Sequence, residues 1–247
     1  MEEIIKKIKS KKPLDKLDDE FVKGFINNFF KTNFKLNKKY LEGKLKKKDL
    51  EIIIKNVRNE LNKSYAQFWT GNKLDLKSHK STKERLEIYQ RVYDHIFSIT
   101  GEPKIVLDLG CGWNPLTYSY IGKNVYFVCV ELTDYDCDKL RNYFKQNGIK
   151  GEVVKADLRT FNNFSRVDIC FMFKILESLE NKGHLLSEHL IKSFKADYII
   201  VSFSTVDIKG RKMNYPRRGW FEIMIKRLGF DFEIYEDYNE IFYIVKK

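Results

Sequence analysis

Residues 106–115 read Val-Leu-Asp-Leu-Gly-Cys-Gly-Trp-Asn-Pro. An apolar run, an acid, two glycines and a proline follow in the order that a strand, a tight turn and a helix require. Such a turn can hold an adenosine-type ligand at the carboxyl edge of a parallel sheet. Gly110 and Gly112 permit positive φ and close backbone approach. Pro115 suits a first helical turn, where its missing N–H costs nothing. The third glycine of a dinucleotide fingerprint is absent, since Asn114 stands near its place. The lysine and hydroxyl of a phosphate-cradling loop are absent too. Both absences favour a ligand without phosphate, S-adenosylmethionine (SAM). Asp108, Gly110, Cys111, Gly112 and Asn114 are then candidate cofactor residues. The same string also suits a glycine turn in another α/β protein.

Two further acids stand at strand ends. Glu131 closes the apolar run 125–130, and an acid there can accept both ribose hydroxyls; Leu132 after it is counted with the cofactor residues. Asp157, in Lys155-Ala-Asp-Leu158, can accept from an adenine amino group. Leu158 beside it is counted with the cofactor residues. Each acid also suits a helix cap. Lys174 ends the apolar run Asp168-Ile-Cys-Phe-Met-Phe and stands near the methyl-transfer pocket of such folds, although a lone lysine can also snorkel from a strand end. The loop 209–220 holds Lys209, Arg211, Lys212, Arg217 and Arg218 interleaved with Tyr215 and Trp220. That mixture suits phosphate pairing and base stacking, and equally a solvated loop. His79, His95, His184 and His189 have no metal spacing, and no His/Asp catalytic pair is legible. No metal is expected. Cys111, Cys129, Cys137 and Cys170 form no C-x-x-C pair and read as buried reduced thiols.

These residues need an α/β frame. Strands are expected near 104–109, 125–131, 151–155, 167–173 and 197–203, with helices near 115–121, 133–147, 182–194 and 215–228. Two paired strands follow at 230–236 and 240–245. This alternation predicts a Rossmann-like, mostly parallel sheet with one antiparallel strand near its edge. Ser81-Thr-Lys-Glu84 has the capping-box pattern and predicts a helix running to about Ser98. Residues 1–70 read as helices, with apolar positions at 21, 22, 25, 26, 29 and 30 and again at 50, 53, 54, 57, 61, 65 and 68. Residues 70–77 look like a linker. The expected division is therefore a helical domain over 1–76 and a second domain over 77–247.

Of the 247 residues, 43% are hydrophobic, enough for a core. No apolar stretch approaches membrane-spanning length, and the N-terminus lacks a signal region, so a cytoplasmic protein is expected. The net charge is +12, and it is uneven. Residues 1–100 hold 24 Lys and Arg against 14 Asp and Glu, while 101–247 hold 22 against 20. A localised excess fits a polyanion partner, nucleic acid first. A lysine-rich composition bias could raise the total, but would not by itself leave the second half near neutral. Lys44, Lys46, Lys47 and Lys48 form a basic knot at a helix junction.

His79-Lys-Ser-Thr-Lys-Glu-Arg-Leu86 resembles the H-x-S-T-x-E-R-L signature of the aminoglycoside-resistance 16S rRNA (guanine-N7) methyltransferases. Phe173-Lys-Ile-Leu-Glu-Ser-Leu-Glu180 is similar to their F-K-[IL]-L-x-x-L-E segment. Val201-Ser-Phe-Ser-Thr205, Gly210-Arg211, Trp220-Phe-Glu222 and residues 241–247 match later segments in the same order. The resemblance implies a class I SAM-dependent methyltransferase acting at guanine N7 in the decoding region. It implies that Arg85 grips the SAM carboxylate, that His79 belongs to the cofactor site, and that Lys174 and Glu180 are positioning residues. It also implies that the helical extension docks the 30S subunit, with the Lys44–Lys48 knot and Arg211, Lys212, Arg217 and Arg218 meeting rRNA. A monomer is expected. Two departures stand out. Where members often carry S-F-P-T-R this chain has Ser202-Phe-Ser-Thr-Val206, and Glu131 replaces an aspartate.

Guanine N7 has an in-plane lone pair and no proton to lose. A general base is unnecessary, and alignment and water exclusion carry the reaction. The base must leave its stack, and Trp113 or Trp220 could receive it. The alternatives are a methyltransferase for another rRNA or tRNA position, and a non-catalytic RNA-binding protein on the same fold.

Overall fold

A computed structural model describes residues 1–71, 73–122, 124–161, 165–180, 183–207 and 210–247. It divides into two compact units, Met1–Thr70 and Gly71–Lys247. The division falls six residues ahead of the boundary expected after residue 76.

The first unit is helical: α1 (Glu2–Lys9), α2 (Asp19–Thr32), α3 (Phe34–Leu41) and α4 (Lys47–Ser64). Its core forms where apolar residues recur every four positions. Val22, Ile26 and Phe30 of α2 and Ile53, Val57 and Leu61 of α4 are buried with Ile4, Ile5 and Ile8 of α1. The last carbonyls of α1 lack intrahelical donors. Arg58 supplies donors, with Nε 3.2 Å from the Ile8 oxygen and Nη2 on the Lys7 oxygen.

In the second unit α5 (Lys80–Glu84) and α6 (Tyr89–Thr100) precede the sheet. The single helix expected from Ser81 to Ser98 is therefore two. Ser81 is buried inside α5 instead of capping it. Between the helices Ile88 N and Tyr89 N both donate to the Arg85 oxygen at 3.0 Å, and this tight turn accompanies an Arg85 side chain that is turned inward.

The sheet strands are β1 (Ile105–Leu109), β2 (Tyr126–Glu131), β3 (Gly151–Lys155), β4 (Val167–Phe173), β5 (Ala196–Ser204), β6 (Asp231–Asp237) and β7 (Glu240–Lys246). Their order is β3-β2-β1-β4-β5-β7-β6. All neighbours pair in parallel except β7, which is antiparallel to both β5 and β6. This is the expected sheet with one reversed strand beside its edge. The connecting helices are α7 (Tyr118–Ile121), α8 (Asp134–Asn147), α9 (Leu176–Leu179), α10 (Leu185–Ser193) and α11 (Gly219–Arg227). Pro115 stands in the first turn of a 3-10 segment, Asn114–Thr117, which leads into α7. The apolar runs of β1, β2, β4 and β5 are continuous because these strands lie inside the sheet. Ile199, Ile200 and Val201 of β5 and Ile241 to Val245 of β7 are all buried. The parallel ladder brings the ends of β1, β2, β3, β4 and β5 to one edge.

Candidate active site

At that edge β1 delivers Asp108 and the glycine turn. Gly110 and Gly112 have φ of 61° and 52°. A Cβ at Gly110 would stand 2.5 Å from Ile175 Cδ1, and one at Gly112 would stand 2.7 Å from the His79 ring. The turn is thus both left-handed and closely covered. Gly110 N and Cys111 N donate back to the Val130 oxygen at 2.9 and 3.2 Å, which fastens the turn to β2. Cys111 is buried and its thiol is pushed well up by burial. All four cysteines are free and buried.

Glu131 stands where the sequence places it. Its Oε1 accepts from Gly112 N at 2.7 Å and its Oε2 from Leu132 N at 2.8 Å. Burial, reinforced by Asp136, pushes its carboxyl up to about 7. Asp108 is also pushed to about 7 by burial, against the pull of Asn114 and Arg85. Asn114 links the two: Nδ2 donates to Asp108 Oδ2 at 2.7 Å, and Oδ1 accepts from Arg85 Nη1 at 3.0 Å and from the Tyr93 hydroxyl at 3.3 Å. Asp157 is half-buried and held by Arg159, at 2.9 Å from Nε and 2.6 Å from Nη2. Leu158 is buried beside it.

Arg85 is the centre of the site. Only 2% exposed, it donates from Nε to Glu240 Oε2 at 3.2 Å and from Nη1 to the Tyr89 hydroxyl at 3.3 Å. Its guanidinium lies 4.8 Å from the Phe173 ring centroid. Among the described residues, Nη2 makes no hydrogen bond. Burial opposes the charge most strongly, but Glu240, Tyr89, Tyr93 and Asp108 together outweigh it and the guanidinium stays protonated. Lys174 is a non-glycine residue at φ 55°. Its Nζ is 2.7 Å from Glu84 Oε2 and 2.9 Å from Glu240 Oε2. Its N–H donates to the oxygen and the Oγ of Ser202, both at 3.1 Å. Ser202 Oγ in turn donates to Glu240 Oε1 at 2.5 Å. Burial alone would raise the Glu240 carboxyl, yet Arg85 and Lys174 hold it below its usual range. His79 is buried, and burial with Arg85 and Lys174 nearby lowers it to about 3, so the ring is neutral. Among the described residues no cluster of His, Cys, Asp and Glu could hold a metal ion.

Sequence reading found Arg85 and Lys174 but missed Glu240, Glu84, Ser202, Tyr89 and Tyr93, which hold them. One signal was present: Glu240 is an acid opening an otherwise apolar strand. Other expectations need correction. Glu180 accepts from Leu185 N, Leu186 N and Ser187 N at 2.8 to 3.1 Å, so it caps α10 and its carboxylate is not left for the pocket. Arg218 is buried, with Nε on Glu177 at 2.7 Å and Nη2 on the Ser204 oxygen at 2.9 Å; it fastens the end of β5 and is not an exposed RNA contact. Arg217 is chelated by Glu222 at 2.8 and 2.6 Å. Arg211 pairs with Asp207, while Lys212 and Tyr215 are exposed. Lys209 lies outside the described residues. Trp113 is fully buried, its Nε1 donating to Ser78 Oγ at 2.9 Å, and offers no face to a base. Trp220 stacks on His184 at 3.8 Å.

The family profile described as Ribosomal RNA methyltransferase (FmrO) matches residues 67–244. The chain belongs to that family. A 16S rRNA (guanine(1405)-N(7))-methyltransferase of Proteus mirabilis is 24% identical over 223 residues, which are 84% of this chain and 77% of that protein. The Serratia marcescens protein of the same description is 30% identical over 179 residues, 70% of this chain and 68% of that one. A crystal structure of the 16S rRNA methyltransferase RmtF with S-adenosyl-L-homocysteine superimposes with a TM-score of 0.78 at 19% identity. It covers all of this chain and 97% of its own, and that likeness is one of fold. The matched residues of the ribosomal RNA methyltransferase family include the glycine turn, Arg85 and Glu240. No described helix is long and apolar enough to cross a membrane.

Proposed function

We propose that this chain transfers the methyl group of SAM to guanine N7 in 16S rRNA, with the 30S subunit as its substrate particle. The observation that carries the reading is Arg85: a buried, permanently charged guanidinium at the sheet edge with Nη2 directed to no protein acceptor among the described residues. A carboxylate is the group a guanidinium matches best. The turn at Gly110 and Gly112 requires glycine, because a Cβ there would collide with Ile175 or His79. Glu131, held by two backbone amides, accepts the ribose hydroxyls when ionised. Leu158 and Asp157 flank the adenine, and Asp157 accepts from its amino group alongside Arg159. SAM supplies the activated methyl.

Guanine N7 needs no deprotonation, which agrees with a site whose histidine is neutral and whose lysine is ion-paired. The work of the chain is to align and to exclude water. In the first unit, 18 Lys and Arg stand against 10 Asp and Glu. Lys44, Lys46, Lys47 and Lys48 are exposed, and Lys47 and Lys48 lie in the first turn of α4, where the helix dipole disfavours cations. A helix gains nothing internally from lysines there, which supports their use on phosphate. Labelled SAM with 30S particles or free rRNA, followed by nuclease digestion and nucleoside analysis, tests the reading. N7-methylguanosine in 16S rRNA is the expected product; label in another nucleoside overturns the target, and no label overturns the activity.

A further inference from the structure

Glu240 is a buried carboxylate, 2% exposed, that touches both cations of the site. It approaches Arg85 Nε at 3.2 Å and Lys174 Nζ at 2.9 Å, and it accepts a hydrogen bond from the Ser202 hydroxyl at 2.5 Å. Glu84 is the second acid on Lys174, at 2.7 Å. Two cations are therefore balanced by two carboxylates within one connected cluster. Arg85 and Glu240 are buried and Lys174 is nearly so, so salt and solvent screen them weakly.

We propose that Glu240 is a positioning residue whose charge sets the preference of the pocket for the sulfonium donor over its neutral product. The inference rests on the SAM site proposed above. SAM and S-adenosylhomocysteine share the adenosine, the ammonium and the carboxylate. They differ in a methyl group and in one positive charge on sulfur. Arg85 and Lys174 unscreened would attract the carboxylate of both ligands and repel the sulfonium of SAM alone. Glu240 removes that repulsion while holding both side chains in place. A compensated pocket admits the charged donor and does not favour the spent, neutral product.

The test is calorimetric, on the full chain, and needs no turnover. Glu240→Gln can keep the contacts: the amide oxygen faces Arg85 and Lys174, and the amide nitrogen faces Ser202 Oγ. It removes one negative charge and so raises the net charge of the cluster by one. The ratio of SAM to S-adenosylhomocysteine affinity should fall on the order of tenfold, the size expected for a unit charge about 12 Å from the sulfur at an effective dielectric of about 20. Lys174→Met removes one positive charge, keeps the aliphatic stem and should move the ratio in the opposite direction. A purely structural role would weaken both ligands equally. If both variants bind the two ligands in the wild-type ratio, the inference is wrong. If Glu240→Gln does not fold, the sign of the Lys174→Met change decides. If the wild-type chain binds neither ligand, the SAM site itself is what fails.

Discussion

The Glu131 carboxyl should make this protein less stable as pH rises through neutrality, and replacing it with glutamine should remove that dependence. Burial, with Asp136 adding to it, lifts the group from 4.5 to about 7 in the folded chain. The folded protein thus keeps a proton that the unfolded chain has released. Its contribution is present in full below pH 4.5 and is lost as pH rises to about 7. At about 1.4 kcal/mol per pH unit, that interval amounts to about 3 kcal/mol. Asp108, also held near 7, acts in the same sense in both proteins and cancels from the comparison. Glu131→Gln gives up one of the two acceptors now used by Gly112 N and Leu132 N, a loss of about 1–2 kcal/mol that is equal at every pH. Urea unfolding of both proteins from pH 4.5 to 7.5 is the assay. The wild type should lose about 3 kcal/mol relative to the variant across that range. Parallel stability curves would refute the reasoning. The ligand supplies a second reading. If ribose hydroxyls require the ionised carboxylate, S-adenosylhomocysteine affinity rises with pH across 7 in the wild type and is flat in the variant.

Arg85→Ala should abolish measurable SAM binding in calorimetry and cost about 3 kcal/mol of stability, since Glu240 stays buried with one cation fewer; unchanged affinity removes Arg85 from the site. Gly110→Ala combines a left-handed backbone with a contact at 2.5 Å and should lower stability by about 2–4 kcal/mol in a thermal melt, whereas an unaltered melt would show that Ile175 yields freely. Arg218→Ala should destabilise by about 3 kcal/mol, through the lost bonds to Glu177 and the Ser204 oxygen, and leave the salt dependence of 30S binding untouched. Reversing the charge of Lys44, Lys46, Lys47 and Lys48 should do the opposite, flattening the salt dependence by about 0.7–0.9 per lost phosphate contact with no loss of stability, since acids suit the first turn of α4; identical salt slopes would take the knot out of the interface.

The parts of this fold legible in the sequence are those governed by local pattern. The strands come from apolar runs too short for helices, and Gly110, Gly112 and Pro115 mark a turn whose dihedral angles few other residues adopt. Glu131 and Asp157 were legible because they interrupt such runs at their ends. The corrections share a different cause. Glu180, Arg217 and Arg218 are polar residues beside a candidate site, and sequence cannot tell an acid facing a ligand from one facing a helix terminus. Ser81 carries a capping pattern, yet the chain turns at Arg85 and buries it.

What the sequence determined by itself is the sheet, its one reversed strand, the glycine cradle and the charge of the first unit, all consequences of spacing and composition. What only the tertiary structure decided is the partner of each buried charge. Glu240 lies 155 residues beyond Arg85 in the chain and meets it because β7 pairs antiparallel to β5 and so starts level with the end of that strand. A long-range ion pair in a dry interior depends on distances of a few ångströms. Periodicity along a chain contains no such information, and the packing of the sheet supplies it.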